Sequence, residues 1–271
     1  MPRADATLSA LLRRDRAVIL ASLLGIALLA WAYLFWFSST MKMEMPGAAM
    51  NMAGMADEMS PGFTAWNLSH ALVMFAMWAI MMVGMMTPSV APVVLLYARA
   101  ALGAQAEGKP FAAASWFAAG YLAAWLTFAL IATTGQWALE WAALLTPTMK
   151  SASRMFGGWL LIVAGAYQWT PFKSSCLNYC RAPLSFIQRH GGFRPGKAAS
   201  LRLGMLHGAY CIGCCWALMA LLFVGGVMNL LWIAALMILV LLEKISPWGL
   251  IVARVAGLIA VTSGGLIILG F

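Results

Sequence analysis

The sulfur and imidazole groups of one short segment have the spacing of a metal site. His207, Cys211 and Cys214 occur at i, i+4 and i+7, and Cys215 follows directly. On an α-helix the first three side chains fall within an arc of roughly 60°, with Cys215 at its border. One imidazole and two or three thiolates facing one way can bind Cu(I) or Zn(II). The alternative is that the cysteines are small apolar side chains and the histidine bonds a backbone carbonyl.

A second group of donors forms one stripe of a helix: His70, Met74, Met77, Met81 and Met85, with Met82 and Met86 widening it. The first five span an arc of roughly 80°. Thioethers suit Cu(I), whereas zinc uses them poorly, so the stripe favours copper. The alternative is plain packing, because methionine also fills hydrophobic interiors.

Methionine is also abundant ahead of this stripe. Of the 20 methionines, 13 lie between residues 41 and 86, and the run begins with Met41, Met43 and Met45. The surrounding segment, 38–66, contains Pro46, Pro61 and three glycines. We predict a flexible loop outside the cell membrane that captures Cu(I) through thioethers. The alternative is an apolar loop that rests on the membrane surface.

The remaining two cysteines lie in a basic segment. Cys176 and Cys180 are four residues apart, which differs from the CxxC spacing of zinc ribbons and thioredoxin-like sites. One helical turn could still bring the two thiols together on a metal or in a disulfide. In a reducing cytosol thiols persist, which favours metal transfer. We therefore predict an inner relay site, with structural cysteines as the alternative.

Composition indicates a membrane protein. The 271 residues are 63% hydrophobic and 9% charged, whereas soluble domains carry about 25% charged residues. Apolar stretches of about 18 or more residues recur along the chain, which is the length needed to cross a bilayer. The net charge of +9 does not indicate nucleic-acid binding, because the charges lie in short connections between apolar stretches. The prediction is an all-α polytopic transmembrane bundle of about seven spans.

The spans are predicted at about residues 17–37, 67–87, 111–134, 154–170, 203–224, 230–242 and 248–269. The chain then divides into a basic N-terminus (1–16), an uncleaved anchor (17–37), the outer loop (38–66) and a membrane domain (67–271) with a basic cytoplasmic connection at 171–202. Pro88 and Pro92 are expected to end the second span. Gly204, Gly208 and Gly213 predict close helix packing around the cysteines.

Charge sets the orientation. Thirteen of the 17 lysines and arginines fall on the side of the N-terminus, so the N-terminus is predicted inside and the C-terminus outside. The second and fifth spans then run in opposite directions, which puts Met81 and Cys211 at a similar depth, roughly 10 Å from the cytoplasmic edge. Glu243 and Lys244 end the sixth span and are expected to be interfacial anchors. A ligand or proton-relay role for Glu243 is the alternative.

The runs MMVGMMTPS at 81–89 and HGAYCIGCCWALM at 207–219 resemble a bacterial family of integral membrane proteins. The family was long catalogued as a domain of unknown function, and its members are described as metal-binding, many of them as copper chaperones. The run CLNYCR at 176–181 and the Glu243–Lys244 pair also resemble its pattern, which extends over about 74–244. The resemblance implies a place in the bacterial inner membrane and copper as the metal.

These features predict a Cu(I) transporter or a membrane chaperone that exchanges copper with a partner protein. Methionines would collect the ion outside, and the His207 to Cys215 group would bind it within the membrane. No catalytic residues are assigned, and an enzyme is not expected. Two alternatives remain. One is a transmembrane redox protein that cycles Cys211, Cys214 and Cys215 between thiols and disulfides. The other is a membrane subunit that holds a metal or cofactor in a larger oxidoreductase.

Overall fold

The computed structural model describes residues 2–50, 66–106, 114–146, 149–193 and 196–270, without the side chains of 2–15, 41–50 and 102–106. Ten helices occur in these ranges, which confirms the all-α prediction. They are α1 (Pro2–Met50), α2 (Leu68–Ala106), α3 (Ala114–Trp141), α4 (Arg154–Tyr167), α5 (Pro171–Arg181), α6 (Pro183–Arg189), α7 (Lys197–Ala220), α8 (Leu222–Gly225), α9 (Leu230–Ile245) and α10 (Gly249–Leu269).

Five stretches of the described chain are long and apolar enough to cross a membrane: Arg16–Thr40, Leu68–Ala101, Ala114–Trp141, Lys197–Gly225 and Gly249–Leu269. By their length and composition, they indicate a helical membrane protein. The other two predicted spans correspond to α4, with 14 residues, and α9, with 16 residues. Both are shorter than the roughly 20 residues of a typical membrane-spanning helix.

Helix α2 continues through Pro88 and Pro92, so the prediction that these prolines end it is wrong. The Thr87 hydroxyl donates to the Val83 carbonyl at 2.6 Å, and the Ser89 hydroxyl donates to the Met86 carbonyl at 2.9 Å. The carbonyls that lose a backbone donor to Pro88 and Pro92 are, however, those of Gly84 and Pro88. Proline is tolerated in membrane helices because packed neighbouring helices stabilise the chain at such positions.

Helix α1 extends to Met50, past the expected end of the anchor at residue 37. The backbone at Met41, Met43 and Met45 is therefore helical. Their side chains, and all of residues 51–65, lie outside the described part of the chain. Capture of copper by this segment stays a prediction.

Helices α3 and α7 lie in direct backbone contact. A methyl group on Gly204 would overlap the Phe117 carbonyl, and one on Gly120 would overlap the Leu201 carbonyl. A methyl group on Gly208 would lie 2.5 Å from the Ala124 side chain. Small residues let membrane helices approach this closely. The predicted close packing at Gly204 and Gly208 is confirmed, and it fixes the depth and rotation of the helix that carries the cysteines.

Helices α4 and α10 form a second close pair through glycines. A methyl group on Gly158 would lie 2.9 Å from the Gly264 carbonyl, and one on Gly165 would lie 2.7 Å from the Gly257 carbonyl. The order of these contacts makes the two helices antiparallel. Helix α4 therefore runs beside a helix long enough to span the membrane.

The basic connection folds back into the protein. Thr170 caps α5 by accepting a hydrogen bond from the Lys173 amide, and Pro171 occupies its first turn. Helix α5 packs against α7 and α9. It buries Lys173, Cys176 and Leu177. The expected cytoplasmic connection is therefore a packed part of the helix bundle, at least over α5.

Candidate metal centre

The cysteine-rich face of α7 lies inside the protein. His207, Cys211, Cys214 and Cys215 are all buried, as the helical spacing predicts for residues on one face. Cys211 is the centre of the polar contacts. Its sulfur lies 2.8 Å from the Lys244 Nζ atom and 3.1 Å from the Tyr121 hydroxyl.

Helix α5 brings the other two cysteines to the same place. Cys180 lies near Cys211 and Cys214, and a methyl group on Gly213 would lie 2.9 Å from the Cys176 sulfur. All five cysteines are free thiols, and together they form one cluster between α5 and α7, termed the thiol cluster below. The expected separate relay nearer the cytoplasm is not what the structure contains.

The thiols from α5 are held in their protonated form. Hydrogen bonds to Cys211 and Cys214 raise the pKa of the Cys180 thiol well above its ordinary value, and burial adds to this effect. Burial raises the pKa of Cys176 as well, with a smaller contribution from Cys214. Binding a metal at either sulfur therefore requires that a proton leave, because the thiolate is the ligand.

Two of the thiols on α7 are engaged by the backbone. Cys214 and Cys215 both donate to the Cys211 carbonyl, at 3.1 Å and 2.9 Å. Among the described residues, no three His, Cys, Asp or Glu side chains form a ready-made metal site. Rotation of these thiols away from the carbonyl would free their sulfurs. The cluster thus supplies donors in one buried region, and a metal would have to gather them.

Lys244 and Tyr121 were missed as parts of this site. Lys244 also contacts the Ser89 hydroxyl at 3.2 Å, and Ser89 lies 3.3 Å from the Tyr121 hydroxyl. Lys244 is only 9% exposed, so its predicted role as an interfacial anchor is wrong. The sequence did contain one signal for Lys244, namely a charged pair at the end of an apolar segment. Burying an ionisable residue within a membrane is costly, so such a residue indicates a functional site.

Glu243 is paired with groups other than the cysteines. Its carboxylate accepts from the Lys173 ammonium at 2.7 Å and from the Gln168 amide at 3.4 Å, and both charged residues are 1% exposed. The anchor prediction is therefore wrong for Glu243 too. A buried charge needs a partner of this kind. The pair ties α5 to α9, and Arg181 adds a second link by donating to the Ser246 carbonyl at 2.9 Å.

His207 has an unused nitrogen. The side chain is buried, and its Nδ1 atom has no hydrogen-bond partner. The ring packs among Phe117, Tyr121 and Phe186, with centroid distances of 5.9, 6.0 and 5.0 Å. The alternative that this histidine bonds a backbone carbonyl does not hold for Nδ1. Buried polar atoms are rarely left without a partner. The free Nδ1 atom is therefore available as a ligand for a metal ion.

The methionine stripe is fully buried in the same core as the cysteines: Met74, Met77, Met81, Met82, Met85 and Met86. Helices α2 and α7 are antiparallel, because the Trp78 ring contacts the Phe223 ring at 5.5 Å while Lys244 bridges Ser89 to Cys211. At about 1.5 Å per residue, this register puts Met85 and Met86 level with Cys214 and Cys215. The prediction that Met81 shares the depth of Cys211 is therefore wrong by about two helical turns.

A polar chain links α2 and α3 at the other end of the stripe. Glu140 accepts from the Trp66 indole at 2.7 Å and from the Gln136 amide at 2.8 Å. Gln136 also accepts from the Trp78 indole at 2.7 Å and contacts the Met74 sulfur at 3.5 Å. No sequence motif marked Gln136 or Glu140 as part of the stripe.

His70 is not part of the thiol cluster. It lies at the start of α2, where its ring packs edge-on against Trp66 at 5.0 Å. Along the helix it is roughly 28 Å from Ser89, at about 1.5 Å per residue. The structure therefore separates the two histidines that were predicted as ligands.

The fold and this region define a helical membrane protein with thiols, thioethers and an imidazole collected in its interior. The family model of PpoB2, described as copper chaperone, matches residues 75–267. The chain therefore belongs to this copper chaperone family. The matched range includes both cysteine groups, Glu243–Lys244 and the stripe from Met77 onward, but not Met41, Met43 and Met45. No curated protein matches significantly, and neither does any solved structure.

Proposed function

We propose that the protein binds Cu(I) inside the membrane and exchanges it with a partner protein. The observation that carries this proposal is the thiol cluster, in which α5 and α7 bring five cysteines together. The methionines of α2 are buried in the same core. Thiolates and thioethers are the ligands that Cu(I) prefers. Membership of a copper chaperone family supports copper over other metals that bind thiolates.

The donors suggest a route. Methionines at 41, 43 and 45 would collect Cu(I), and His70, Met74 and Met77 would receive it at the start of α2. Met81, Met82, Met85 and Met86 would carry it along the helix. The ion would end in the thiol cluster, bound by thiolates drawn from Cys211, Cys214, Cys215 and Cys180, with Cys176 and His207 beside them. A passage from thioethers to thiolates moves Cu(I) toward tighter ligands, which fits import or the loading of an acceptor protein.

The topology belongs to the same proposal. We place the protein in the bacterial inner membrane with seven spans, the N-terminus inside and the C-terminus outside. Helix α4 supports this count, because it runs antiparallel to α10 through Gly158 and Gly165 and so shares its depth. Helix α9 must return the chain from the α8 end of α7 to the start of α10.

The experiment measures the copper content of the detergent-purified protein after anaerobic loading with Cu(I). The wild type is compared with the Cys211→Ser/Cys214→Ser/Cys215→Ser variant. Met205→Leu is a matched control, since Met205 is on α7 but is exposed. We expect stoichiometric copper in the wild type and control and its loss from the triple variant. A wild type that retains no copper would refute the proposal.

A transmembrane redox role is the second candidate. It is favoured by the contact of Cys180 with Cys211 and Cys214, because thiols held side by side can exchange with disulfides. That role predicts a disulfide between α5 and α7 after mild oxidation and no copper after loading. Peptide mapping by mass spectrometry, on the same samples, separates the two functions.

A further inference from the structure

Lys244 is a buried cation without a carboxylate. Its Nζ atom contacts the Cys211 sulfur at 2.8 Å and the Ser89 hydroxyl at 3.2 Å. The neighbouring Glu243 is engaged by Lys173, and this is the one ion pair found in the described part of the chain. A charge in an apolar interior needs a counter-charge. The sulfur of Cys211 is the group positioned to provide one.

The charge of a metal complex at Cys211 depends on the metal. Two thiolates with Cu(I) carry a net charge of −1, whereas the same two thiolates with Zn(II) carry none. The Lys244 ammonium adds +1 in each case. The copper site is then neutral and the zinc site carries +1. Uncompensated charge is costly where the dielectric constant is low, so the same ligands favour the monovalent ion.

We infer that Lys244 is the fixed counter-charge of a two-thiolate complex and selects Cu(I) over divalent ions. This inference rests on the proposed function. Cys211 is the sulfur that Lys244 contacts, and Cys180 is the sulfur from another helix that lies against it. These two supply the thiolates, and each coordinating thiol releases its proton to solvent. Lys244 is thus a specificity-determining residue and need not touch the metal.

Three variants test the charge. Lys244→Met removes it, and Lys244→Arg keeps it. Lys150→Met is the matched control, because it removes one charge from an exposed lysine far along the chain. Cu(I) affinity is measured anaerobically by competition with a chromophoric Cu(I) chelator. Zn(II) and Ag(I) are titrated in parallel, and bound metal is counted by mass spectrometry.

We expect Lys244→Met to bind Cu(I) about 10- to 100-fold more weakly, the range found when groups that support metal ligands are removed. The binding of Ag(I) should weaken to the same extent, because Ag(I) has the same charge as Cu(I). Zn(II) should bind as well as before or better, since its complex no longer carries an excess charge. The Cu(I) affinity of Lys244→Arg should stay within a few-fold of the wild-type value. The Cu(I) affinity of Lys150→Met should equal the wild-type value.

The opposite behaviour of monovalent and divalent ions distinguishes selection by charge from structural damage. A parallel loss of Cu(I), Ag(I) and Zn(II) in Lys244→Met would overturn the inference, and so would an unchanged Cu(I) affinity. If Lys244→Met aggregates, Lys244→Gln gives the same comparison with a hydrogen-bond donor retained. A wild type without Cu(I) refutes the proposed function as well, whereas a copper-binding wild type with an unselective Lys244→Met variant refutes this inference alone.

Discussion

Cys180 of α5 lies close to Cys211 of α7. The contact joins two helices that the chain separates by a basic segment and by all of α6. Helix α5 is held there by Lys173, which bonds Glu243 of α9 at 2.7 Å. The thiol cluster therefore depends on three helices, and its sulfurs stay together only while α5 remains docked.

The contact of Cys180 with Cys211 predicts unequal roles for the two cysteines of α5. Cys180→Ser should lower Cu(I) affinity by about tenfold or more, since it removes a sulfur that lies close to Cys211 and Cys214. Cys176→Ser should have a smaller effect, because that sulfur lies against the backbone of Gly213. Chelator competition on the two purified variants measures the difference. Equal losses would mean that the metal is bound across the whole cluster.

The Lys173–Glu243 pair predicts a strong stability effect. Lys173→Met leaves the Glu243 carboxylate buried without its cation, and breaking a buried pair in this way costs about 3–5 kcal/mol. The double variant Lys173→Met/Glu243→Gln removes both charges and should recover most of this loss. The measurement is the temperature at which half of the detergent-solubilised protein aggregates, followed by size-exclusion chromatography. A double variant no more stable than Lys173→Met would contradict the explanation.

Local features of the site could be predicted from the sequence. The spacing of His207, Cys211 and Cys214 gave a common buried face because positions within two helical turns depend on helix geometry alone. Gly204 and Gly208 indicated close packing because a missing side chain permits the approach of another backbone. The helical class and the approximate positions of the spans could also be predicted, from hydropathy. Like the features above, they depend only on residues within one continuous segment.

The neighbours of each helix could not be predicted in this way. Helix α3 packs against both α2 and α7, and nothing in its sequence assigned Tyr121 to the contact with Cys211. Lys244 looked like an interfacial anchor because its partners, Ser89 and Cys211, are far away in the chain. The continuation of α2 through Pro88 could not be predicted for the same reason, because the tolerance of proline in a membrane helix depends on the helices packed around it.

The glycine contact between α7 and α3 predicts where the membrane domain is least tolerant of change. Gly204→Ala places a methyl group on the Phe117 carbonyl, so the helices must separate, at a cost of about 1–3 kcal/mol. Gly135→Ala on α3 is the control, since no atom lies within 4 Å of the added group. We expect the control to stay within about 0.5 kcal/mol of wild type. Thermal aggregation of both variants gives the comparison.

The depth of Met85 and Met86, level with Cys214 and Cys215, predicts a kinetic role. Met85→Leu/Met86→Leu keeps the side chains apolar and close in volume, so stability should change by less than about 1.5 kcal/mol. Two thioethers are lost, and the ion must pass to the thiols without them. We expect anaerobic loading with Cu(I) to reach the wild-type stoichiometry but about tenfold more slowly, which corresponds to ~1.4 kcal/mol in the barrier.

Stopped-flow absorbance of the chelator measures this rate. Met155→Leu serves as the control, since Met155 on α4 is 53% exposed and should load at the wild-type rate. A double variant that also loads at the wild-type rate would show that Met85 and Met86 only fill space. Slower loading with unchanged stoichiometry would instead separate the route of the ion from its final ligands, because leucine can replace methionine in packing but cannot donate a lone pair to copper.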